Sequence, residues 1–160
     1  MEGMVNNLAK SPSGGDTDQL KAVAAGVCDV TIANTYYLAR LINSSKTSDQ
    51  AVAKRLAVFW PNQKGEGAAG RGAHFNVSGA AFTKHGKNHN EAKALLEYLA
   101  SPKAQAWYAK INNEYPVVKG VKISPALKGF GDYKMDPIDL EFLGLNNRQA
   151  IKLMDRAGWK

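Results

Sequence analysis

The stretch Val27–Leu41, VCDVTIANTYYLARL, decides how this chain is read. A short apolar, β-branched run, Val27–Ile32, ends in Ala33-Asn34-Thr35. Two adjacent tyrosines, Tyr36 and Tyr37, then open what reads as a helix. Two phenols at a strand-to-helix turn are a poor way to build a core, because each buried O–H needs a partner. They are well suited to holding a hard, highly charged cation: a phenolate is an oxygen anion, and tyrosinate is a known ligand of ferric iron. Free tyrosine ionises near about pH 10, so at neutral pH the metal itself must displace the proton. Binding of that kind depends on pH by construction.

Working outward, Asp16 offers an N-cap for a helix over Thr17–Ala25, and Gly26 offers its C-terminal stop. Val27–Asn34 follows as an expected buried strand. Helix, strand, loop, helix is the α/β pattern, in which ligands sit beyond the carboxyl ends of strands. Tyr36 and Tyr37 fall at that place. For both phenols to face one cleft the chain should turn sharply, so a local irregularity is expected at Thr35–Tyr37.

Further along, helices are expected at Ser48–Leu56, at Glu91–Ala100 with Ala92, Leu95, Leu96 and Leu99 as its apolar stripe, and from Ser101-Pro102 with Ala104, Trp107, Tyr108 and Ile111 inward. The last helix is expected to start at Asn146 or Asn147, with Ala150, Ile151 and Met154 inward. Short strands are expected at Ala57–Trp60, Ala73–Thr83 and Tyr115–Val118. Asn62–Gly72 and Ile123–Tyr133 read as loops. The glycines of the first look superficially like a phosphate loop, but the strand, lysine and helix of that motif are missing, so a flexible loop is expected.

The chain has 160 residues, enough to bury a core of its own, and carries a net charge of +7. Such a balance invites a nucleic-acid reading, yet the lysines are scattered and form no tight basic run. The single Cys28 excludes an intramolecular disulfide and reads as a small buried hydrophobe. No run approaches the roughly 18 apolar residues of a membrane span, and no secretory leader opens the sequence. No nucleophile-base-acid set can be assembled, so no enzymatic activity is expected.

Asn34-Thr35-Tyr36-Tyr37 resembles the iron-ligand motif of the periplasmic ferric-iron-binding proteins, the substrate-binding components of iron(III) ABC transporters. The likeness continues in order through GGDTDQLKAVAAG (14–26), HFNVSGAAFTKHGKN (74–88), LLEYLASPKAQAWYA (95–109), NNEYPVV (112–118) and LGLNNRQAIKLMDRAGW (143–159). It matches the C-terminal half of that family. The resemblance implies an α/β, type II periplasmic-binding-protein-like fold of two lobes that close on the ion. Residues 1–72 would belong to the lobe bearing the ligand tyrosines, 73–118 to an inter-lobe strand and helices of the other lobe, and 119–160 to helices returning to the first.

The same resemblance implies Fe(III) capture by Tyr36 and Tyr37, with a synergistic anion such as carbonate or phosphate near Asn34, and delivery to an ABC permease from the periplasm. The missing secretory leader is then expected from missing upstream sequence. The partner would be a missing N-terminal half or an oligomeric copy, and no nucleic acid. Asn34 has a second reading, as a turn-former bonded to its own backbone. The alternatives in view are a solute-binding fragment for another metal or small anion, and a basic nucleic-acid-binding module. The histidines do not make a metal site of their own: His85 and His89 lack the glutamate and the helix of the zinc motif, and His74 opens an expected strand.

Overall fold

The computed structural model describes residues 1–11 and 13–159. Among them run eight α-helices: α1 (Glu2–Val5), α2 (Asp16–Ala24), α3 (Thr35–Ile42), α4 (Thr47–Ala53), α5 (His89–Leu99), α6 (Pro102–Ile111), α7 (Pro125–Lys128) and α8 (Leu140–Arg156). None of these helices is long and apolar enough to cross a membrane. The chain divides into two compact units: Met1–Ile32 with Trp60–His74 and Tyr133–Lys160, and Ala33–Phe59 with Phe75–Asp132.

The helix ends follow local chemistry. Gly26 ends α2 as expected, at φ 78°. Its N–H reaches the Val23 carbonyl at 2.9 Å and that of Val27 reaches Ala22 at 3.0 Å, the paired closure that glycine permits at almost no steric cost. At the other end Asp16 is the first helical residue and Gly15 is the cap. The carboxylate that accepts the Gly15 N–H, at 2.9 Å, belongs to Asp18. Ser101 caps α6 through its hydroxyl, which accepts from the Ala104 N–H at 3.3 Å, ahead of Pro102 at the first helical position. The last helix begins at Leu140, a turn and a half before the asparagines, because Asp139 caps it by accepting the Glu141 N–H at 2.9 Å.

The expected strands are the main correction. Among the described residues the only β contact is an isolated parallel bridge between Ala73 and Met135. Val27–Asn34, Ala57–Trp60, Ala73–Thr83 and Tyr115–Val118 carry no ladder. This chain's own hydrogen bonds therefore do not confirm the α/β part of the expectation. Strand propensity reports an extended, β-branched segment, whereas a strand also needs a neighbour to pair with, and parallel pairing draws that neighbour from far along the sequence.

Two helix faces are also corrected. Ala104 and Ala109 are the buried residues of α6, while Trp107 and Ile111 are exposed. Leu95 of α5 and Ile151 of α8 are exposed as well. Cys28 is half-buried rather than buried.

The loop expected at Ile123–Tyr133 holds the centre of the second unit. Ser124 accepts the Leu127 N–H at 3.3 Å and starts α7 with Pro125 in the first turn. Leu127 is fully buried, with Ala39 and Ala126 around it and Tyr115 and Phe130 packed alongside.

In the first unit, the glycine-rich stretch is fastened rather than loose. Gln63 accepts the Lys134 N–H at 2.7 Å and donates to the Lys134 carbonyl at 3.1 Å. Gly72 N–H reaches the Asn62 carbonyl at 2.8 Å, Arg71 pairs with Asp136 at 3.0 Å, and Trp60 stacks on Tyr133 at 4.0 Å.

Candidate functional site

Helix α3 explains where the tyrosines go. At 3.6 residues per turn, Leu38, Ala39 and Leu41 fall on one arc and Tyr36, Tyr37 and Arg40 on the opposite one. The first set is buried. Ala39, with no exposure at all, sits against Leu127 and Ala126. Burying that arc leaves the two phenols on the other, half-buried. Their ring centroids lie 4.4 Å apart with planes tilted by 36°.

The irregularity expected at Thr35–Tyr37 is absent. Asn34 is the extended N-cap, at φ −69° and ψ 139°, and the helix is regular from Thr35. The sharp turn therefore precedes the tyrosines. Adjacent helical positions diverge by about 100°, yet the two rings meet at 4.4 Å on a regular helix, so the side-chain torsions and not the backbone bring them together.

Sequence reading missed Arg40. Its guanidinium carbon lies 5.3 Å from the Tyr37 ring centroid and 6.0 Å from that of Tyr36. Both fall within the range of cation–π attraction. The signal was present in the spacing, since Arg40 stands four residues after Tyr36 and three after Tyr37, the helical neighbours of each. The site thus combines two phenols with one fixed positive charge beside them.

Asn34 is held by a long-range contact that no local pattern announces: the Asn76 side-chain N–H donates to its Oδ1 at 3.5 Å. Nearby, the Ser78 hydroxyl donates to Glu114 at 2.9 Å. At the far end of α3, the Asn43 side-chain N–H donates to Asn113 Oδ1 at 2.9 Å, and Asn113 is buried at φ 56°. The helix carrying the tyrosines is therefore anchored by its apolar arc and tied at both ends.

Among the described residues no three His, Cys, Asp or Glu side chains gather as a metal cluster. His85 and His74 are exposed. His89 opens α5 with its ring 6.2 Å from that of Phe82. The paired phenols of α3 place two side-chain oxygens on one helix arc.

Comparison with known proteins gives the family. Residues 3–137 match the model of the bacterial extracellular solute-binding proteins, and the chain belongs to that family. It is a family of binding and transport proteins, not of enzymes.

Iron uptake protein A2 of Synechocystis is 45% identical over 160 residues, spanning 100% of this chain and 45% of the relative. The solved Trichodesmium protein IdiA (FutA), in complex with iron and citrate ligands, matches with a TM-score of 0.91 and 52% identity, over 99% of this chain and 49% of that one. The ferric binding protein of Campylobacter jejuni matches with a TM-score of 0.92 and 37% identity, again over 99% and 49%. The chain thus spans about half the length of these relatives.

Proposed function

We propose that this chain contributes Tyr36 and Tyr37 as paired phenolate ligands to Fe(III), as part of a protein that captures ferric iron for uptake. The observation that carries the reading is the placement of two phenol rings 4.4 Å apart on the first turn of α3. The names of the relatives, iron uptake and ferric binding, support the same metal. Fe(III) is a hard cation and phenolate a hard oxygen anion, so the donor set suits the cargo. Two ligands leave most of the coordination shell to other groups. The proposal assigns those to the other lobe of a two-lobed α/β protein and to a synergistic anion, carbonate, phosphate or a carboxylate, with Asn34 beside it. Delivery is to an ABC permease from the periplasm.

The chemistry requires each tyrosine to lose its proton when iron binds. Capture therefore weakens as pH falls. Reduction to Fe(II) softens the ion and removes much of its preference for phenolate, which gives a route to release. Arg40, beside both rings, offsets negative charge gathered at the site.

The test is a ferric titration near neutral pH from a chelated iron donor, followed by the visible phenolate-to-iron charge-transfer band. The band should appear, and should be lost in the Tyr36→Phe/Tyr37→Phe double variant. A band that persists in the double variant would overturn the ligand assignment.

A further inference from the structure

We propose that Asn113 and Glu114 are positioning residues of the tyrosine site: from one corner of the chain they hold, by both its ends, the helix that carries Tyr36 and Tyr37. Their effect on iron capture rests on the ferric reading above, whereas the positioning itself does not.

Asn113 follows Asn112, the C-cap of α6, and stands at φ 56° with 5% exposure. The left-handed region is costly for a residue with a Cβ, and glycine is the usual occupant after a helix. A turn alone does not require the side chain to be buried: Asn62 has nearly the same φ, 57°, and is exposed. Asn113 is instead turned to a partner. Its Oδ1 accepts the Asn43 side-chain N–H at 2.9 Å, across 70 positions of sequence. Asn43 is the C-cap of α3.

Glu114 reaches the other end of α3 in two steps. Its carboxylate accepts the Ser78 hydroxyl at 2.9 Å. Asn76, two residues before Ser78, donates its side-chain N–H at 3.5 Å to Oδ1 of Asn34, the N-cap of α3. The next residue, Tyr115, packs on the cluster of Ala39, Ala126 and Leu127 under the buried arc. Three consecutive residues, 113–115, thus address the end, the start and the middle of one helix. Gln105 of α6 braces the corner by accepting the Val117 N–H at 3.0 Å.

Apolar contact decides which arc of α3 is buried, but it is non-directional. Hydrogen bonds are directional, and a pair at opposite ends of a helix fixes its roll and its slide together. A phenol oxygen stands well out from the helix axis, so a small roll is enlarged at the ligand atom. Metal–ligand distances hold only within about 0.2 Å. Fixing the helix therefore fixes the two oxygens.

The first readout needs no iron. The ring protons of Tyr36 and Tyr37, 4.4 Å apart, shift each other's NMR signals through their ring currents. Asn113→Gly keeps the left-handed backbone and removes the acceptor. It should move both ring signals toward those of free tyrosine, and Asn113→Asp, which keeps an acceptor oxygen, should restore them. Glu114→Ala should do the same and Glu114→Gln should restore them, because a carbonyl oxygen accepts as the carboxylate does. Ser78→Ala, at an exposed position, breaks the second tie without touching the corner and should shift the Tyr36 signals even if Asn113→Gly does not fold. The second readout is ferric affinity from the charge-transfer band, which should fall by about tenfold in the Gly and Ala variants and recover in the Asp and Gln ones. Ring signals that stay in place in Ser78→Ala and Glu114→Ala overturn the proposal, and so does a lowered urea midpoint with unmoved rings, which would make the corner structural only. Rings that move as expected, with no band even in the parent, support the positioning and overturn the ferric reading instead.

Discussion

Tyr36 and Tyr37, the proposed ligands, lie on the arc of α3 opposite its buried residues, with their rings 4.4 Å apart. Replacing either with Phe removes one phenolate and keeps the ring. Changes outside the ligand shell commonly cost 10- to 100-fold in metal affinity, so loss of a ligand should cost more than about a hundredfold. Competition against a graded chelator series measures it. Arg40→Ala removes a cation–π contact worth about 0.5–1 kcal/mol at an exposed site. Iron affinity should fall by about two- to fivefold through looser rings, and an unchanged affinity would mean that Arg40 is only a solvated surface charge. Tyr133 offers a separate titration. Burial raises its phenol above the ordinary value of 10.0. The neutral form is thus favoured in the folded state, and the contribution is complete below the unfolded value and lost as pH rises through the folded one. Alkaline unfolding followed by circular dichroism should show this loss, and Tyr133→Phe, which keeps the ring that stacks on Trp60, should remove it.

At the scale of elements, α7 and α3 depend on each other. Leu127 of α7 is fully buried in one cluster with Ala39 of α3, so the short helix supports the helix that carries the tyrosines. Leu127→Ala should destabilise by about 2–5 kcal/mol, read as a shift in the urea midpoint. It should also weaken iron binding, because α3 loses the surface that fixes its roll. The fastening of 60–74 has its own dependence on one residue. Gly72 sits at φ 109°, and a Cβ there would lie 2.5 Å from the Met135 carbonyl carbon. Gly72→Ala should therefore cost about 1 kcal/mol or more. Equal stability of the variant would mean that the bridge between Ala73 and Met135 is dispensable. The cap of α7 was legible in advance: Ser124-Pro125 repeats the Ser101-Pro102 signal that starts α6. A four-residue helix carries no periodic apolar stripe, so the cap is its whole local signal.

For the whole molecule, apolar surface in water has measurable consequences. Val30, Ile32, Phe59 and Val117 are each largely exposed. The chain should bind an apolar fluorescent dye such as ANS in native buffer, and a Val30→Ser/Phe59→Ser variant should bind less. With +7 of net charge, self-association should be suppressed at low salt and should grow as screening increases. Sedimentation across a salt series checks this, and association that is strongest at low salt would contradict it.

The sequence by itself determined the existence of α2 to α6, the stop at Gly26 and the Ser101 cap of α6, because these follow from neighbours a few positions apart. It also determined the family, through segments that match in order along the chain. The tertiary structure alone decided which helix arcs are buried, that Leu127 is the centre of its unit, and that Asn76 reaches Asn34 and Gln63 reaches Lys134. Those contacts join residues 42 and 71 positions apart, and no local pattern encodes such a distance. The strands show the same limit from the other side. Val27–Asn34 is extended on the strength of its own residues, but a ladder is a property of two segments, and one segment cannot specify the other.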